Sequence, residues 1–197
     1  IENSTAGIVA EVYDLLQKYD NYIIAETYVK VEHALLGLPG TDLDKVTTVY
    51  SHPQGLMQCE EFLSGHKEWQ QISQVNTAVA AKKILEDNDC THVAIASEDA
   101  AEEYGLEILK RKINDMDNNT TRFVIITNTR KFVKNAQKMS IVFETANETG
   151  TLYNLLSHII YNGLNMNKIE SRPIEERNME GRKWEFRFFV DFEGNID

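Results

Sequence analysis

Polar side chains suited to gripping an anion recur in this sequence just ahead of apolar runs. Asn3-Ser4, Ser51, Asn76-Thr77 and Ser97 each stand where a helix is expected to begin. A helix start gathers free backbone N–H groups, which with a few hydroxyls and amides make an anion site. Taken singly, each is an ordinary helix cap. Capping does not account for Glu2 beside Asn3, nor for Ser51 and Gln58 two turns apart on one expected helix face. Nor does it account for the polar run Asn118-Asn119-Thr120-Thr121-Arg122 directly ahead of an apolar strand. Together these groups suit a small, polar, anionic substrate. The five histidines (33, 52, 66, 92 and 158) show no metal-ligand spacing, and no Ser/His/Asp triad can be placed. His52 reads as a local cap or packing residue. His33 reads either as a packed core histidine or as a group near a cleft.

The elements that must position these residues alternate strand, polar cap, helix. Ile8, Val9, Val12, Leu15, Leu16 and Tyr19 fall at helical spacing, with Ser4 or Thr5 ahead as a cap. Tyr22 to Val31 and Val46 to Tyr50 read as strands. A helix follows from Ser51-His52-Pro53, burying Leu56, Cys59, Phe62 and Leu63, with Pro53 near its first position. Trp69 to Ser73 is a strand, and Asn76 caps a helix carrying Ala80, Ile84 and Leu85. Val93 to Ala96 is a buried strand, Ser97 a cap, Ala100 to Leu109 a helix and Arg122 to Thr127 a strand. This grammar predicts an α/β layer fold with its ligand crevice at the strand C-termini.

A polar, basic linker from Thr127 to Lys138 leads to a second unit. Met139 to Thr145 reads as a strand, Asn147 to Gly150 as a turn and cap, and Leu152, Leu155, Leu156, Ile159 and Ile160 as a helix. Leu164 to Ile174 and Lys183 to Phe192 read as strands around a polar hairpin, Glu175 to Gly181. The resulting β-α-β-β order is three quarters of a ferredoxin-like unit.

Composition narrows the function. A net charge of −11 without a long basic stripe argues against a nucleic-acid groove, so an anion must be held by local donors. Apolar stretches are strand-sized, none near the ~20 residues of a membrane span. No secretory signal is visible. Two cysteines, Cys59 and Cys90, fit a reducing cytoplasm and no disulfide framework. The chain opens at Ile1, not Met, and its last strand runs almost to the end, so a piece of a longer protein is expected.

Five motifs in order carry a resemblance that spans the chain. Ile1-Glu2-Asn3-Ser4-Thr5-Ala6-Gly7, then Tyr50-Ser51-His52-Pro53-Gln54 with Gln58-Cys59, then Asn119 to Phe123 resemble the signatures of the prephenate dehydratase family. Thr121-Arg122-Phe123 is the most telling of them. Gly150-Thr151-Leu152 and Lys168-Ile169-Glu170-Ser171-Arg172-Pro173 resemble the phenylalanine-sensing ACT domain that follows the catalytic domain in that family.

The resemblance implies a catalytic domain over residues 1–130, two-lobed and periplasmic-binding-protein-like. One lobe would be complete, over residues 4–96, and the other represented only by 97–127. An incomplete ferredoxin-like ACT domain over 138–197 would follow. The implied reaction turns prephenate into phenylpyruvate with loss of water and carbon dioxide, needing no cofactor or metal. Thr121 would give a proton to the leaving hydroxyl. Glu2, Asn3, Ser4, Ser51, Gln58, Asn76, Thr77, Arg122 and Phe123 would line the substrate site, with Glu2 paired or orienting donors and Phe123 shaping an apolar wall. Arg122 reads equally as a carboxylate clamp or as a salt bridge outside the cleft. Where the family often has Ser-Thr this chain has Asn76-Thr77, which preserves the cap. Asn147, Gly150, Thr151, Leu152, Asn165, Glu170, Ser171, Arg172 and Pro173 would bind L-phenylalanine between two subunits of a homodimer or homotetramer. Thr151 and Tyr153 depart from the family's usual alanine and valine there. The chain alone is expected to be inactive and its parent active and cytoplasmic. Two other readings stay open: a non-catalytic phenylalanine-sensing module, and an arogenate dehydratase.

Overall fold

The computed structural model describes residues 1–5, 7–9, 11–131, 134–174 and 185–195. The first elements are β1 (Glu2–Asn3), β2 (Gly7–Ile8), α1 (Glu11–Lys18), β3 (Tyr22–Lys30), β4 (Ala34–Gly37), β5 (Thr48–Ser51), α2 (Pro53–Met57) and α3 (Glu60–Ser64). Next come β6 (Gln70–Ser73), α4 (Thr77–Asp87), β7 (His92–Ala96), α5 (Glu98–Tyr104), β8 (Glu107–Lys110) and β9 (Thr120–Thr127). The remainder is β10 (Lys138–Glu144), α6 (Thr151–Tyr161), β11 (Met166–Pro173) and β12 (Phe186–Glu193). Contacts group these into two compact units, Ile1–Val9 with Thr27–Phe123, and Ala10–Glu26 with Val124–Asp197. The division falls inside β3 and β9 and is not linear in sequence.

The first unit is built on a five-stranded sheet of order β6-β5-β7-β4-β8. β5 lies parallel to β6 and β7, whereas β4 runs antiparallel to β7 and β8. Central strands buried on both faces need apolar residues at every position, and the side-chain period of two sorts them. Ala34, Leu36, Tyr50, Ala94 and Ala96 join Ala80, Ala81, Ile84, Ala100 and Ala101 of α4 and α5 on one face. Leu35, Val49, Val93 and Ile95 join Cys59, Leu63, Trp69 and Ile113 on the other. The complete α/β layer thus occupies residues 34–113, not 4–96. Residues 1–8 and 22–30 belong with β9 in a second sheet of order β2-β1-β9-β3.

Several local expectations change for identifiable reasons. β4 has no counterpart among the expected strands. The helix expected over Ala100–Leu109 stops at Gly105, whose φ of +63° ends α5 and lets the chain enter β8. The helix expected to begin beyond Ser4 or Thr5 spans only Glu11–Lys18, so neither residue caps it, and Ile8 lies in β2. The single helix expected from Ser51 to Leu63 is two. His52 caps α2, its Nδ1 accepting from Gln54 N at 3.2 Å, and Gln58 closes that helix. Asp115 then caps α3 from a distant loop, accepting from Glu60 N and Glu61 N at 3.0 Å each.

The second unit holds a three-stranded antiparallel sheet of order β10-β12-β11 with α6 over it. Met139, Ile141 and Phe143 alternate toward Leu156, Ile159, Leu164, Val190 and Phe192, while Ile160 is exposed. α1 belongs to this unit, with Tyr13 4.5 Å from Phe189 and Asp14 paired to Arg172 at 2.6 Å. The hairpin expected over 175–181 and the strand start at Lys183 lie outside the described residues.

Candidate active site

β1 pairs antiparallel with β9, placing Asn3 opposite Thr121 and Glu2 opposite Arg122. Alternation then separates them: Asn3 and Thr121 share one face of the sheet, Glu2 and Arg122 the other. Ser4 fastens the pairing. Its backbone N donates to Thr120 O at 2.9 Å, its hydroxyl accepts from Thr120 N at 3.0 Å, and it donates to Asn118 O at 3.2 Å. The role observed for Ser4 is therefore to hold the β9 entrance.

On the Asn3 face, amides and hydroxyls form one connected set. The Asn3 Nδ2 group donates to Asn119 Oδ1 at 2.8 Å and to Thr121 Oγ1 at 2.9 Å. Its Oδ1 accepts from Thr5 N at 3.0 Å and from the Thr5 hydroxyl at 2.7 Å. Gln58 Nε2 donates to Thr5 Oγ1 at 2.8 Å, and Gln58 Oε1 lies 2.9 Å from His33 Nε2. Gln58 is held by its backbone too, since its carbonyl accepts from Asp115 N at 2.8 Å. Thr5, Gln58 and Asn119 line a hollow of about 280 Å³ with Gln54, Met57, Asn114, Asp115 and Met116. Asn119 is 1% exposed and its Nδ2 has no hydrogen-bond partner among the described residues. It is a buried donor left unmatched, in a residue that also lines the hollow.

The expected site residues thus divide. Asn3, Gln58 and Thr121 come together, joined by Thr5 and Asn119. Ser51 does not reach the hollow: it is fully buried at the end of β5, and its hydroxyl donates to Ile95 O at 2.8 Å. It does not share a helix face with Gln58, because α2 begins after His52 and ends at Gln58. The Asn76 amide caps α4, accepting from Val79 N at 2.8 Å, and Thr77 opens that helix. Ser51 and Thr77 instead surround Gly55, where an added Cβ would lie 2.5 Å from Ser51 Oγ and 3.5 Å from Thr77 Cγ2. Ser97 caps α5. Arg122 pairs with Glu2 at 3.5 Å on the far face from Thr121, which favours the salt-bridge reading of Arg122 over the clamp. Phe123 is 36% exposed in β9. Sequence reasoning missed Thr5, read as a helix cap, and left His33 undecided. The signal for both was weak, because their partners lie up to 114 residues away.

In the second unit, Gly150 has φ +83°, a conformation L side chains avoid, and no side chain caps α6. Thr151 closes the turn, its hydroxyl donating to Glu148 O at 3.0 Å, with Leu152 next in the helix and Asn147 just ahead. Glu170, Ser171, Arg172 and Pro173 pair with Phe189, Phe188, Arg187 and Phe186 in the sheet. Asn165 donates to Asn167 Oδ1 at 3.1 Å.

The family pattern of prephenate dehydratase matches residues 1–131. A prephenate dehydratase of Methanocaldococcus jannaschii is 38% identical over 99% of this chain and 70% of its own length. The chain belongs to the prephenate dehydratase family. A bifunctional chorismate mutase/prephenate dehydratase of Buchnera aphidicola is 37% identical over the whole chain, which covers 50% of that protein. The chain spans about half the length of the first curated relatives it matches. The solved prephenate dehydratase of Staphylococcus aureus is 26% identical with a TM-score of 0.84, covering 100% of this chain and 71% of its own. This places the chain in the α/β, two-lobed, periplasmic-binding-protein-like class. A protein described as a quorum-quenching acylase, GqqA, is 32% identical with a TM-score of 0.85 over 100% of this chain and 70% of its own. The family fold therefore hosts more than one described activity. Among the described residues, no helix is long and apolar enough to cross a membrane.

Proposed function

We propose that the protein carrying this chain is a prephenate dehydratase, with residues 1–130 in the catalytic domain and 138–197 in a phenylalanine-sensing ACT domain. The observation that carries the reading is the direction of hydrogen bonding at Thr121. Thr121 Oγ1 accepts from Asn3, so its own proton is left to point elsewhere. Prephenate presents two carboxylates and a ring hydroxyl. The bond from the ring to its carboxylate breaks, releasing carbon dioxide, and its electron pair enters the ring. The bond to the hydroxyl breaks as the ring becomes aromatic, and the hydroxyl leaves as water on taking the proton. Thr121 supplies or shares that proton, and water restores it. Because a threonine is a weak acid, its work is chiefly donation to the departing oxygen as charge develops there. The buried and unmatched Asn119 Nδ2 becomes a donor for a substrate oxygen once a small shift uncovers it. Local amides of this kind serve a dianion despite a net charge of −11.

An acyl-transfer reading is less well supported. It needs a nucleophile beside a base. The Thr5 and Thr121 hydroxyls are bonded to Asn and Gln amides. Burial, with Asp115 second, pushes the Cys59 thiol up to about 12. No imidazole touches a hydroxyl in the hollow among the described residues.

Further proposals follow from the same reading. L-phenylalanine binds at the Gly150 turn and the Glu170–Pro173 strand, in a homodimer or homotetramer located in the cytoplasm. The glycine, whose backbone permits close approach of a carboxylate, supports that placement.

The test is product analysis on the whole protein with prephenate, arogenate and an N-acyl amide offered separately. Phenylpyruvate from prephenate is expected. Turnover of arogenate alone would move the substrate by one group, and amide cleavage alone would overturn the reading. Calorimetry with L-phenylalanine should give binding that Gly150→Trp abolishes. Binding without any turnover would leave only a sensing module.

A further inference from the structure

We infer that His33 is a positioning residue of the Thr121 site: its imidazole sets the direction of a hydrogen-bond chain that ends on the Thr121 hydroxyl. The inference rests on the dehydratase reading above and deepens it. With the Gln58 amide placed as it is, the links run in one direction. Gln58 Oε1 accepts and cannot donate, so at 2.9 Å the proton sits on His33 Nε2. The Gln58 amide thereby turns its Nε2 toward Thr5, to which it donates at 2.8 Å. Thr5 has one hydroxyl proton and gives it to Asn3 Oδ1 at 2.7 Å, in preference to Asn119 Oδ1 at 3.5 Å. With its oxygen held, Asn3 turns its Nδ2 to Asn119 and Thr121. Thr121 accepts, which leaves its own proton available to donate.

The surroundings of His33 agree with this role. It is 6% exposed, in the three-residue connection between β3 and β4. Its backbone is fixed at both ends, N donating to Asn114 Oδ1 at 3.2 Å and O accepting from Ile113 N at 3.0 Å. Its Nδ1 is buried with no hydrogen-bond partner among the described residues. A histidine kept only to fill the core gains nothing from a buried polar atom left unmatched. A directed N–H at the other nitrogen is a role that such a cost can serve. An amide flip at Gln58 would present an acceptor to Thr5, draw the Thr5 proton away from Asn3, and loosen Asn3. The Thr5 backbone N–H would still hold Asn3, so the effect is graded.

The length of a replacement side chain decides whether it can stand in for the imidazole. A glutamine amide nitrogen reaches the place of imidazole Nε2, whereas the shorter asparagine amide reaches only that of Nδ1. In His33→Gln, then, the donor to Gln58 is kept, and in His33→Asn and His33→Ala it is lost. Steady-state turnover of prephenate by the whole protein reads the difference. His33→Asn and His33→Ala should lower kcat about tenfold, less than the hundredfold or more typical of a direct proton-transfer group, with KM changed less than about twofold. His33→Gln should recover most of the loss. In a Gln58→Leu background the His33 variants should have no further effect on kcat. Nitrogen-15 NMR of the imidazoles reads the same link without turnover, and should show His33 protonated at Nε2. An Nδ1–H tautomer, equal loss in His33→Gln and His33→Asn, or full additivity with Gln58→Leu would overturn the role of His33. Absence of phenylpyruvate from the unaltered protein would instead overturn the dehydratase reading, and the tautomer would still decide the His33–Gln58 link.

Discussion

Asn119 presents the clearest balance between folding and function at the scale of one residue. Its Oδ1 is bonded to Asn3 at 2.8 Å, while its Nδ2 is buried without a partner among the described residues. An unmatched buried donor costs about 1–3 kcal/mol, a cost that a substrate oxygen would offset. Asn119→Asp keeps the shape and the acceptor for Asn3 but replaces the donor with a second acceptor. For an anionic substrate, KM should rise about tenfold or more, as loss of a hydrogen bond to a charged group implies, and the buried carboxyl should also lower the melting temperature. An unchanged KM would remove Asn119 from the substrate site. Asn3, Gln58 and Thr121 were legible in the sequence through their motifs, and strand alternation explains why Arg122, next to Thr121, faces the other way. Thr5 and His33 were harder to read. Their roles depend on contacts with Asn3, Gln58 and Asn119, which no local spacing reveals.

At the scale of elements, Asp115 joins the hollow to the break between α2 and α3. It caps α3 through Glu60 N and Glu61 N, and its own N–H holds the Gln58 carbonyl. Asp115→Ala should therefore cost about 0.5–2 kcal/mol of stability, the usual range for a lost cap, measured by urea denaturation. No loss would show that the cap carries nothing. At the end of α4, Asp87 meets Lys83 and lies 3.2 Å from His92 Nδ1 of β7. The hydrogen bond from Lys83 chiefly, then that from His92, holds the Asp87 carboxyl below its ordinary value against the opposing effect of burial. A folded-state value below the unfolded one stabilises above the ordinary carboxylate range, and that stability is lost as pH falls through the folded value. The stability difference between the protein and Asp87→Asn should thus be full at pH 7 and shrink below about pH 4. A difference independent of pH would contradict this.

Helices with a polar cap and a regular apolar stripe, such as α4, were legible, as was the β-α-β-β order of the second unit. β4 was hidden because Ala34–Gly37 is short and buried at every position, so it shows no alternation. α5 is shorter than its pattern suggests because Gly105 is locally tolerable in a helix, and its positive φ is settled by the packing of Leu106 beyond it.

For the whole molecule, the compact units are not the linear halves of the chain. α1 packs with the C-terminal strands through Tyr13 and Asp14, although more than a hundred residues separate them. Nothing in the sequence around α1 announces that pairing, because an exposed amphipathic helix is compatible with any apolar neighbour. The site, by contrast, lies wholly within the first unit and assembles from its beginning, its middle and its end. Its donors are amides and hydroxyls held by one another, in a molecule whose net charge of −11 opposes an anionic substrate. Binding and chemistry are therefore assigned to local geometry at Thr121, and removal of its hydroxyl at constant shape is the most direct test. Thr121→Val in the whole protein should lower kcat for phenylpyruvate formation at least about a hundredfold, with KM within about threefold and an unchanged circular dichroism spectrum. Turnover of prephenate by Thr121→Val at a rate near that of the unaltered protein would contradict the account.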